Sequence, residues 1–313
     1  MTPTSRVAIV IPTRNGGPGL ARLLDAIAEQ EGIEAAPIVA VDSGSTDGSV
    51  DLLENRGVQV LRVAPAQFNH GDTRNLALSA IRTELAVLTV QDAVPASKSW
   101  LVSLVRPLLD DGTIAGTYAR QRPWPDASRI TAHYLSGWIA AQDSSRVVGP
   151  ITPAAFEALT PVERYLLCVF DNVCSCIRMS VWRSRPFRHA RIAEDLEWAL
   201  EVLQSGHRLA YVPEAVVWHS HDRSARYELG RTYLVHQQLQ SLFGLSTIPT
   251  LGALARSIAS ALPLHLRLAA GERTARIRAL ARGVALAVAF PLGQYLGARA
   301  AREGRDLLTV DGV

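Results

Sequence analysis

Val7-Ala8-Ile9-Val10-Ile11-Pro12-Thr13-Arg14-Asn15 decides the fold. Five apolar residues with no polar alternation read as a strand covered on both faces, the pattern of a parallel sheet between helices. The run breaks at Pro12 into a polar loop. Helical spacing follows over 20–30, with Leu20, Leu23, Leu24 and Ile27 on one face. The same unit then recurs. A second strand over 38–41 ends at Asp42-Ser43-Gly44-Ser45-Thr46-Asp47-Gly48 and leads into a helix over 50–55. A third strand spans 58–63, a helix 71–79, and a fourth strand 85–90, which ends at Gln91-Asp92. This βαβαβαβ order predicts an α/β fold with right-handed crossovers and a ligand crevice at the carboxyl ends of the strands.

Further along, the patterns predict a helix over 100–109, a strand over 114–118, a strand over 173–179, a helix over 194–204 and a short strand over 209–212. The stretch 121–153 is irregular and rich in Pro, Trp and Ser, the composition of a substrate-shaping loop. Arg120, Trp124 and Trp138 are its candidates for contact with a sugar, since aromatic faces stack on sugar rings; Trp residues in loops also serve as packing anchors. From Tyr227 onward Ala, Leu and Arg dominate a helical region, which places a boundary near 226 and gives domains 1–226 and 227–313.

With 48% apolar and 19% charged residues, 313 residues support a core of ordinary size. A net charge of +3 makes no case for a nucleic-acid partner. Between 256 and 305, however, Arg256, Arg267, Arg273, Arg276, Arg278, Arg282, Arg299, Arg302 and Arg305 are opposed only by Glu272 and Glu303. That asymmetry suits peripheral contact with an anionic membrane face or a lipid-linked phosphate, and equally a solvated helix face or a helical surface for homodimer packing. Residues 1–6 are polar and lead straight into the first strand, so no secretory signal is expected. The longest apolar stretch, 283–292, contains Pro291 and falls short of the roughly 20 residues a spanning helix needs. A cytoplasmic protein is expected, at most lying on the inner face of the plasma membrane. Cys168, Cys174 and Cys176 fit buried roles in a reducing compartment.

Three polar clusters fall where an open sheet binds ligands: Pro12-Thr13-Arg14-Asn15, Asp42-Ser43-Gly44-Ser45 and Gln91-Asp92-Ala93. Any one of them is ordinary turn composition. With no Gly-x-Gly-x-x-Gly after the first strand and no Walker lysine, a nucleotide must be held by side chains, with Asp42 facing a pyrimidine N–H and Thr13 and Ser43 near ribose or base. Pro12, Arg14 and Gln91 belong to the same clusters. Gly71 permits close backbone approach, and Arg74 offers a planar fork to phosphate or base, against the plainer reading of a capped helix with a solvated Arg. Asp92, a carboxylate ending an apolar strand, suits a divalent cation that bridges a diphosphate. Trp218-His219-Ser220-His221 supplies candidate second ligands. Glu194-Asp195 opens a helix; the pair is either an ordinary acidic N-terminus or a general base.

In this order the segments resemble family 2 glycosyltransferases of the GT-A fold, over roughly 7–221. Within that family the chain resembles the bacterial rhamnosyltransferases. The resemblance is carried by Phe68-Asn69-His70-Gly71-Asp72-Thr73-Arg74-Asn75, Thr89-Val90-Gln91-Asp92-Ala93, Tyr118-Ala119-Arg120-Gln121, Asn172-Val173-Cys174-Ser175-Cys176-Ile177-Arg178, Ala193-Glu194-Asp195-Leu196-Glu197-Trp198-Ala199 and His219-Ser220-His221. It implies a mostly parallel GT-A sheet with a C-terminal helical extension, and an inverting transfer of a sugar, L-rhamnose from dTDP-L-rhamnose, to a hydroxyl of a glycan or polyprenyl-linked acceptor. Thr13, Asp42 and Arg74 would surround the nucleotide. Asp92 with His219, or His221 in its place, would hold Mg²⁺ or Mn²⁺. Asp195 would be the base, while Trp124, Glu194 and Trp198 would lie at the donor or acceptor pocket.

Two departures stand out. The first Asp of the usual Asp-x-Asp is absent, and Asp72 replaces a small residue beside Gly71. A UDP-hexose donor on the same fold is one rival reading, and a non-catalytic sugar- or nucleotide-binding module is another. A polyprenyl-phosphate sugar synthase would need clearer membrane-spanning helices.

Overall fold

The computed structural model describes residues 6–31, 36–272 and 276–310. Most of the polar N-terminal stretch and Arg273 of the basic run lie outside these residues. In chain order the first half contains β1 (Val7–Thr13), α1 (Gly17–Ala28), β2 (Ile38–Asp42), α2 (Ser49–Asn55), β3 (Gln59–Arg62), α3 (His70–Ser79), β4 (Leu85–Thr89), β5 (Val94–Pro95), α4 (Trp100–Asp110) and β6 (Ile114–Arg122). Next come α5 (Arg129–Ser136), β7 (Arg146–Val148), α6 (Pro153–Glu157), α7 (Pro161–Leu167), β8 (Cys174–Arg178) and α8 (Met179–Ser184). The chain continues with α9 (Glu194–Gln204), β9 (Arg208–Trp218), α10 (Ala225–Phe243), α11 (Leu251–Ala270) and α12 (Arg276–Glu303).

These elements form two compact units. One comprises Met1–Arg122, Gly137–Ala158 and Leu167–His219; the other comprises Pro123–Ser136, Leu159–Leu166 and Ser220–Val313. The division is discontinuous, where composition suggested one cut near 226. Composition registers the onset of the helical region, but not the two shorter excursions that belong with it.

In the first unit the described strands make one sheet, ordered β3-β2-β1-β4-β8-β6-β9-β5, with β7 on β9. β1 is parallel to β2 and β4, β2 to β3, and β6 to β9. β8 runs antiparallel to both β4 and β6, while β5 and β7 run antiparallel to β9. The sheet is thus mixed, with most strands in one direction, as expected. Val7 to Ile11 and Leu85 to Leu88 are all fully buried, which explains their unbroken apolar runs.

This direction pattern positions the site. The carboxyl ends of β1, β2, β4, β6 and β9 share one edge, and the reversed strand β8 starts at that same edge. β9 is longer than the expected strand over 209–212 because an irregularity carries it past Pro213: Ala119 pairs with Val212, but Arg120 pairs with Val216. The bypassed residues look like a strand end in sequence, whereas the strand resumes and delivers Trp218 and His219 to the edge. Within the stretch 121–153, read as irregular, the structure forms α5 and β7.

In the second unit α12 packs on α10 and α11. Pro291, expected to interrupt the apolar stretch, sits inside this continuous helix. By length and composition α12 is long and apolar enough to cross a membrane, which corrects the expectation that no helix would be. Close packing occupies one face of it. A Cβ on Gly297 would come within 2.1 Å of the Tyr233 carbonyl oxygen on α10, so only glycine allows the two backbones to approach so nearly.

Candidate active site

The loops after β1 and β2 are stitched to each other. Asn15 N–H donates to Ser45 Oγ at 2.8 Å, and Asn15 Oδ1 accepts from Thr46 N–H at 2.8 Å. Ser43 N–H donates to the Thr13 carbonyl at 2.9 Å, as does its hydroxyl at 3.2 Å. Asp42 is buried, and its Oδ2 accepts from Gly44 N–H at 2.9 Å and Ser45 N–H at 3.1 Å, so the carboxylate first shapes its own turn. Its Oδ1 has only a longer contact, 3.3 Å, from Ser45 N–H and retains capacity to accept. Gln91, expected to meet a nucleotide, spans the Arg14 peptide: its Oε1 accepts from Arg14 N–H at 2.9 Å and its Nε2 donates to Arg14 O at 3.0 Å. Its amide therefore ties the loop after β1, which carries Pro12, Thr13 and Arg14, to the end of β4.

Four of the expected contact residues are placed differently. Gly71 approaches protein backbone: a Cβ there would meet the Arg188 carbonyl oxygen at 1.9 Å. Arg74 is buried, and its Nη1 pairs with Glu194 Oε1 at 2.7 Å and donates to His70 O at 3.1 Å. The guanidinium thus serves Glu194 rather than lying open to phosphate, and Glu194 is equally enclosed rather than lining a pocket. Trp198 is the fourth. It is 1% exposed, packs against the rings of Phe170 and Phe187, and donates its indole N–H to Arg185 O at 2.9 Å. It is a core residue, since helical spacing turns it inward from the end of α9 that carries Asp195.

Burial opposes the ionised form of Glu194, but Arg74, His70 and Asn172 outweigh that penalty and hold its carboxyl below the ordinary range. Asp195 beside it has the opposite balance. Burial, then the charge of Glu194, then that of Asp171 raise it to about 8, against an opposing hydrogen bond from Asn172 N–H at 3.2 Å. The residue as a whole still keeps partial contact with solvent. The preceding residue, Ala193, is held at φ 63°, a left-handed conformation uncommon for a residue with a Cβ.

At the opposite end of the site, His219 Nε2 lies 3.7 Å from Asp92 Oδ1. The ring is oriented from behind. Gln121 Nε2 contacts Asp171 Oδ2, an acceptor, so the amide must turn its Oε1 to His219 Nδ1, 2.9 Å away. Nδ1 must then carry the proton, and in the neutral ring the lone pair belongs to Nε2, the nitrogen facing Asp92. A carboxylate oxygen beside an imidazole presented in this tautomer fits a divalent cation that completes its shell with diphosphate and water. His221 follows two residues later, in the segment Ser220–Val313 assigned to the second unit.

Asp171 and Asn172 are the residues that sequence reasoning missed. Asn172 is buried; its N–H reaches Asp195, its Nδ2 donates to Glu194 Oε1 at 3.1 Å, and its Oδ1 accepts from Ser175 Oγ at 2.8 Å. Asn172 and Gln121 stood in the segments that carry the resemblance, but neither had a role. Hydrogen bonds and one peptide link thus run without a break from Asp195 through Asn172, Asp171, Gln121 and His219 towards Asp92. Arg120 on β6 pairs with Asp143, and its buried Nε finds no acceptor among the described residues. The Trp124 N–H donates to Ser220 Oγ at 3.0 Å in the second unit.

Residues 8–164 match the model of "Glycosyl transferase family 2". Across 232 residues the chain is 30% identical to the O-antigen chain rhamnosyltransferase RfbN of Salmonella typhimurium, covering 73% of this chain and 70% of that one. It is 26% identical to the O-antigen chain rhamnosyltransferase WbaN of Salmonella anatum, covering 72% and 69%. In fold it is similar to the mannosyltransferase PcManGT from Pyrobaculum calidifontis, solved with GDP-Man and Mn²⁺: TM-score 0.62, 19% identity, 96% of this chain and 88% of that one. The GT-A architecture expected from the sequence is the one observed.

Proposed function

This chain belongs to glycosyl transferase family 2, and from that premise we propose that it is an inverting, cation-dependent rhamnosyltransferase. Its donor is dTDP-L-rhamnose, and its acceptor is a hydroxyl of a glycan or polyprenyl-linked oligosaccharide in cell-surface polysaccharide synthesis. The related O-antigen chain rhamnosyltransferases support the choice of sugar and the class of acceptor. The observation that carries the reading is the unbroken chain of contacts between Asp195 and the Asp92–His219 pair.

Asp195 is the base. A carboxyl raised to about 8 has a proton affinity matched to neutral or mildly alkaline conditions, where general-base transfer is most effective. It takes the proton from the acceptor hydroxyl, whose oxygen attacks the anomeric carbon on the face opposite the diphosphate, and the configuration inverts. Glu194, Arg74 and Asn172 hold that carboxylate in place without touching substrate. Asp92 and His219, with His221 as the alternative ligand, are the residues that would hold Mg²⁺ or Mn²⁺. When bound, that cation would neutralise the charge gathering on the leaving nucleotide diphosphate. Thr13, Asp42 and Ser43 take the nucleotide end, and Arg120 is the cationic candidate for the sugar phosphate.

The protein works in the cytoplasm at the inner face of the membrane, with the basic helical region towards the lipid. Rhamnose transfer from dTDP-L-rhamnose, with UDP-hexoses as the control panel, tests donor and acceptor together. Asp195→Asn should lower turnover about 10²–10⁴-fold with nucleotide binding preserved. Undiminished transfer by that variant would remove Asp195 as the base, and full activity in EDTA would remove the cation.

A further inference from the structure

The carboxylate of Asp171 sits at the junction of the elements that build the site. Its Oδ1 accepts from Val173 N–H at 2.9 Å, and the Val173 carbonyl accepts from Val90 N–H at 3.0 Å, two residues before Asp92. Its Oδ2 meets Gln121 Nε2, and Gln121 Oε1 meets His219 Nδ1. The backbone of His219 is fixed independently, its N–H donating to Arg122 O at 2.9 Å. Asp171 therefore influences the ring of His219 through the direction of the hydrogen bonds rather than through the strand that carries it.

We propose that Asp171 is a positioning residue for the cation site, acting through Gln121 to hold His219 as the Nδ1–H tautomer with its Nε2 lone pair towards Asp92. The inference rests on the reading of Asp92 and His219 as cation ligands. Its logic is one of polarity. An ionised carboxylate only accepts, so it sets which end of the Gln121 amide faces His219. A neutral amide at 171 cannot do the same. Its oxygen is required by Val173 N–H, which leaves its NH₂ towards Gln121. The Gln121 amide then turns over and offers its own NH₂ to Nδ1, and the proton of the imidazole moves to Nε2. A ring protonated on Nε2 presents a hydrogen, rather than a lone pair, to the position next to Asp92. Outer partners of a ligating histidine commonly govern its affinity for metal by about 10–100-fold.

The polarity argument also specifies its own rescue. In Asp171→Asn combined with Gln121→Glu, the carboxylate has moved one step along the relay. It accepts from Asn at 171 on one side and from His219 Nδ1–H on the other, with net charge unchanged. A structural role for Asp171 alone gives no reason for such a rescue.

The test uses the full chain labelled with ¹⁵N-histidine, without metal, with the His219 resonances assigned by their loss in His219→Gln. Ring ¹⁵N shifts report the tautomer, and titration with Mn²⁺ alone, following the free ion by electron paramagnetic resonance, reports affinity. The wild type should show Nδ1–H. Asp171→Asn should show Nε2–H with Mn²⁺ bound about 10–100-fold more weakly, and the double variant should recover both. Gln121→Met breaks the same relay while leaving the Asp171–Val173 turn intact, so it gives a result even where Asp171→Asn folds poorly. Asp171→Asn or Gln121→Met with the wild-type tautomer and affinity overturns the inference, as does a double variant no better than Asp171→Asn. A wild type that takes up no Mn²⁺, or an Asp92→Asn variant that binds it equally well, sinks the cation reading instead, and the tautomer measurement still decides the relay.

Discussion

Asp195→Asn should make the protein more stable at neutral pH while disabling it. In the unfolded chain the carboxyl ionises near its ordinary 3.8, whereas in the fold burial, Glu194 and Asp171 raise it to about 8. Between those limits the folded state keeps a proton that the unfolded state has lost. Stability contributed by the protonated group is therefore complete below pH 3.8 and drains away as pH rises towards 8. Each pH unit in that window costs about 1.4 kcal/mol, so at pH 7 the wild type has lost on the order of 4 kcal/mol relative to a neutral side chain at 195. An asparagine still accepts from Asn172 N–H but forfeits part of the remaining hydrogen bonding, about 1 kcal/mol. The net gain at pH 7 is about 3 kcal/mol, equivalent to roughly 6 °C in Tm for a chain of this size.

Urea unfolding of the metal-free protein at pH 5, 6, 7 and 8 is the suitable assay. The two stability curves should nearly meet at pH 5 and diverge steadily above it, the wild type declining while Asp195→Asn stays comparatively flat. Parallel curves would refute the reasoning, because they would mean that Asp195 titrates alike in both states and that its enclosure beside Glu194 has no energetic consequence.

Other outcomes follow from the same geometry. In the wild type, log kcat/KM should rise with pH with unit slope and level off near pH 8, reflecting ionisation of Asp195 in the free enzyme; a profile flat from pH 6 to 9 would contradict the assignment. Arg74→Met strands the buried Glu194 charge and should cost about 3–5 kcal/mol in a denaturant melt. Trp198→Phe loses the indole bond to Arg185 and some core volume, so stability should fall by about 1–2 kcal/mol with donor KM unmoved; a shift in KM alone would return Trp198 to the pocket. Ala193→Gly relieves a left-handed alanine and should leave the fold as stable or stabilise it by up to about 1 kcal/mol in the same melts, whereas Ala193→Val should destabilise it.

The fold was legible because β1, β2 and β4 are buried on both faces and show it as unbroken apolar runs. The acidic pair was legible because α9 starts at Glu194, where an N-terminal carboxylate stands out. What escaped was direction and burial. Nothing in Cys174 to Arg178 says that β8 runs against its neighbours, and only that reversal brings the residues before it, Asp171 and Asn172, to the edge where β1, β2 and β4 end. Arg74 was misread for a related reason. A helix-borne arginine beside a glycine looks like a phosphate ligand until Glu194, 120 positions on in the sequence, is found against its guanidinium. Gly71 likewise signalled close approach correctly, but sequence could not say that the approaching group is the Arg188 carbonyl.

On the proposed function, that reversal also bears on why so spare a cation site is workable. With Thr89-Val90-Gln91 before Asp92, the family's first carboxylate is missing, and Gln91 is engaged with the Arg14 peptide. Less negative charge at the strand end weakens the hold on a bare cation, yet also reduces repulsion of an incoming diphosphate, which brings its own oxygens. The charge has not left the site. It sits one layer back at Asp171, where it acts on His219 through Gln121 and on Asp195 through space. A carboxylate in that position cannot bridge the cation and the substrate, but it can influence both the tautomer of a ligand and the proton affinity of a base. The arrangement therefore requires that cation affinity rise sharply when nucleotide diphosphate is present: Mn²⁺ titrations with and without dTDP should differ by at least about tenfold in Kd, about 1.4 kcal/mol. Equal affinities would mean that the protein ligands alone satisfy the ion, and the account of a site completed by its substrate would fail.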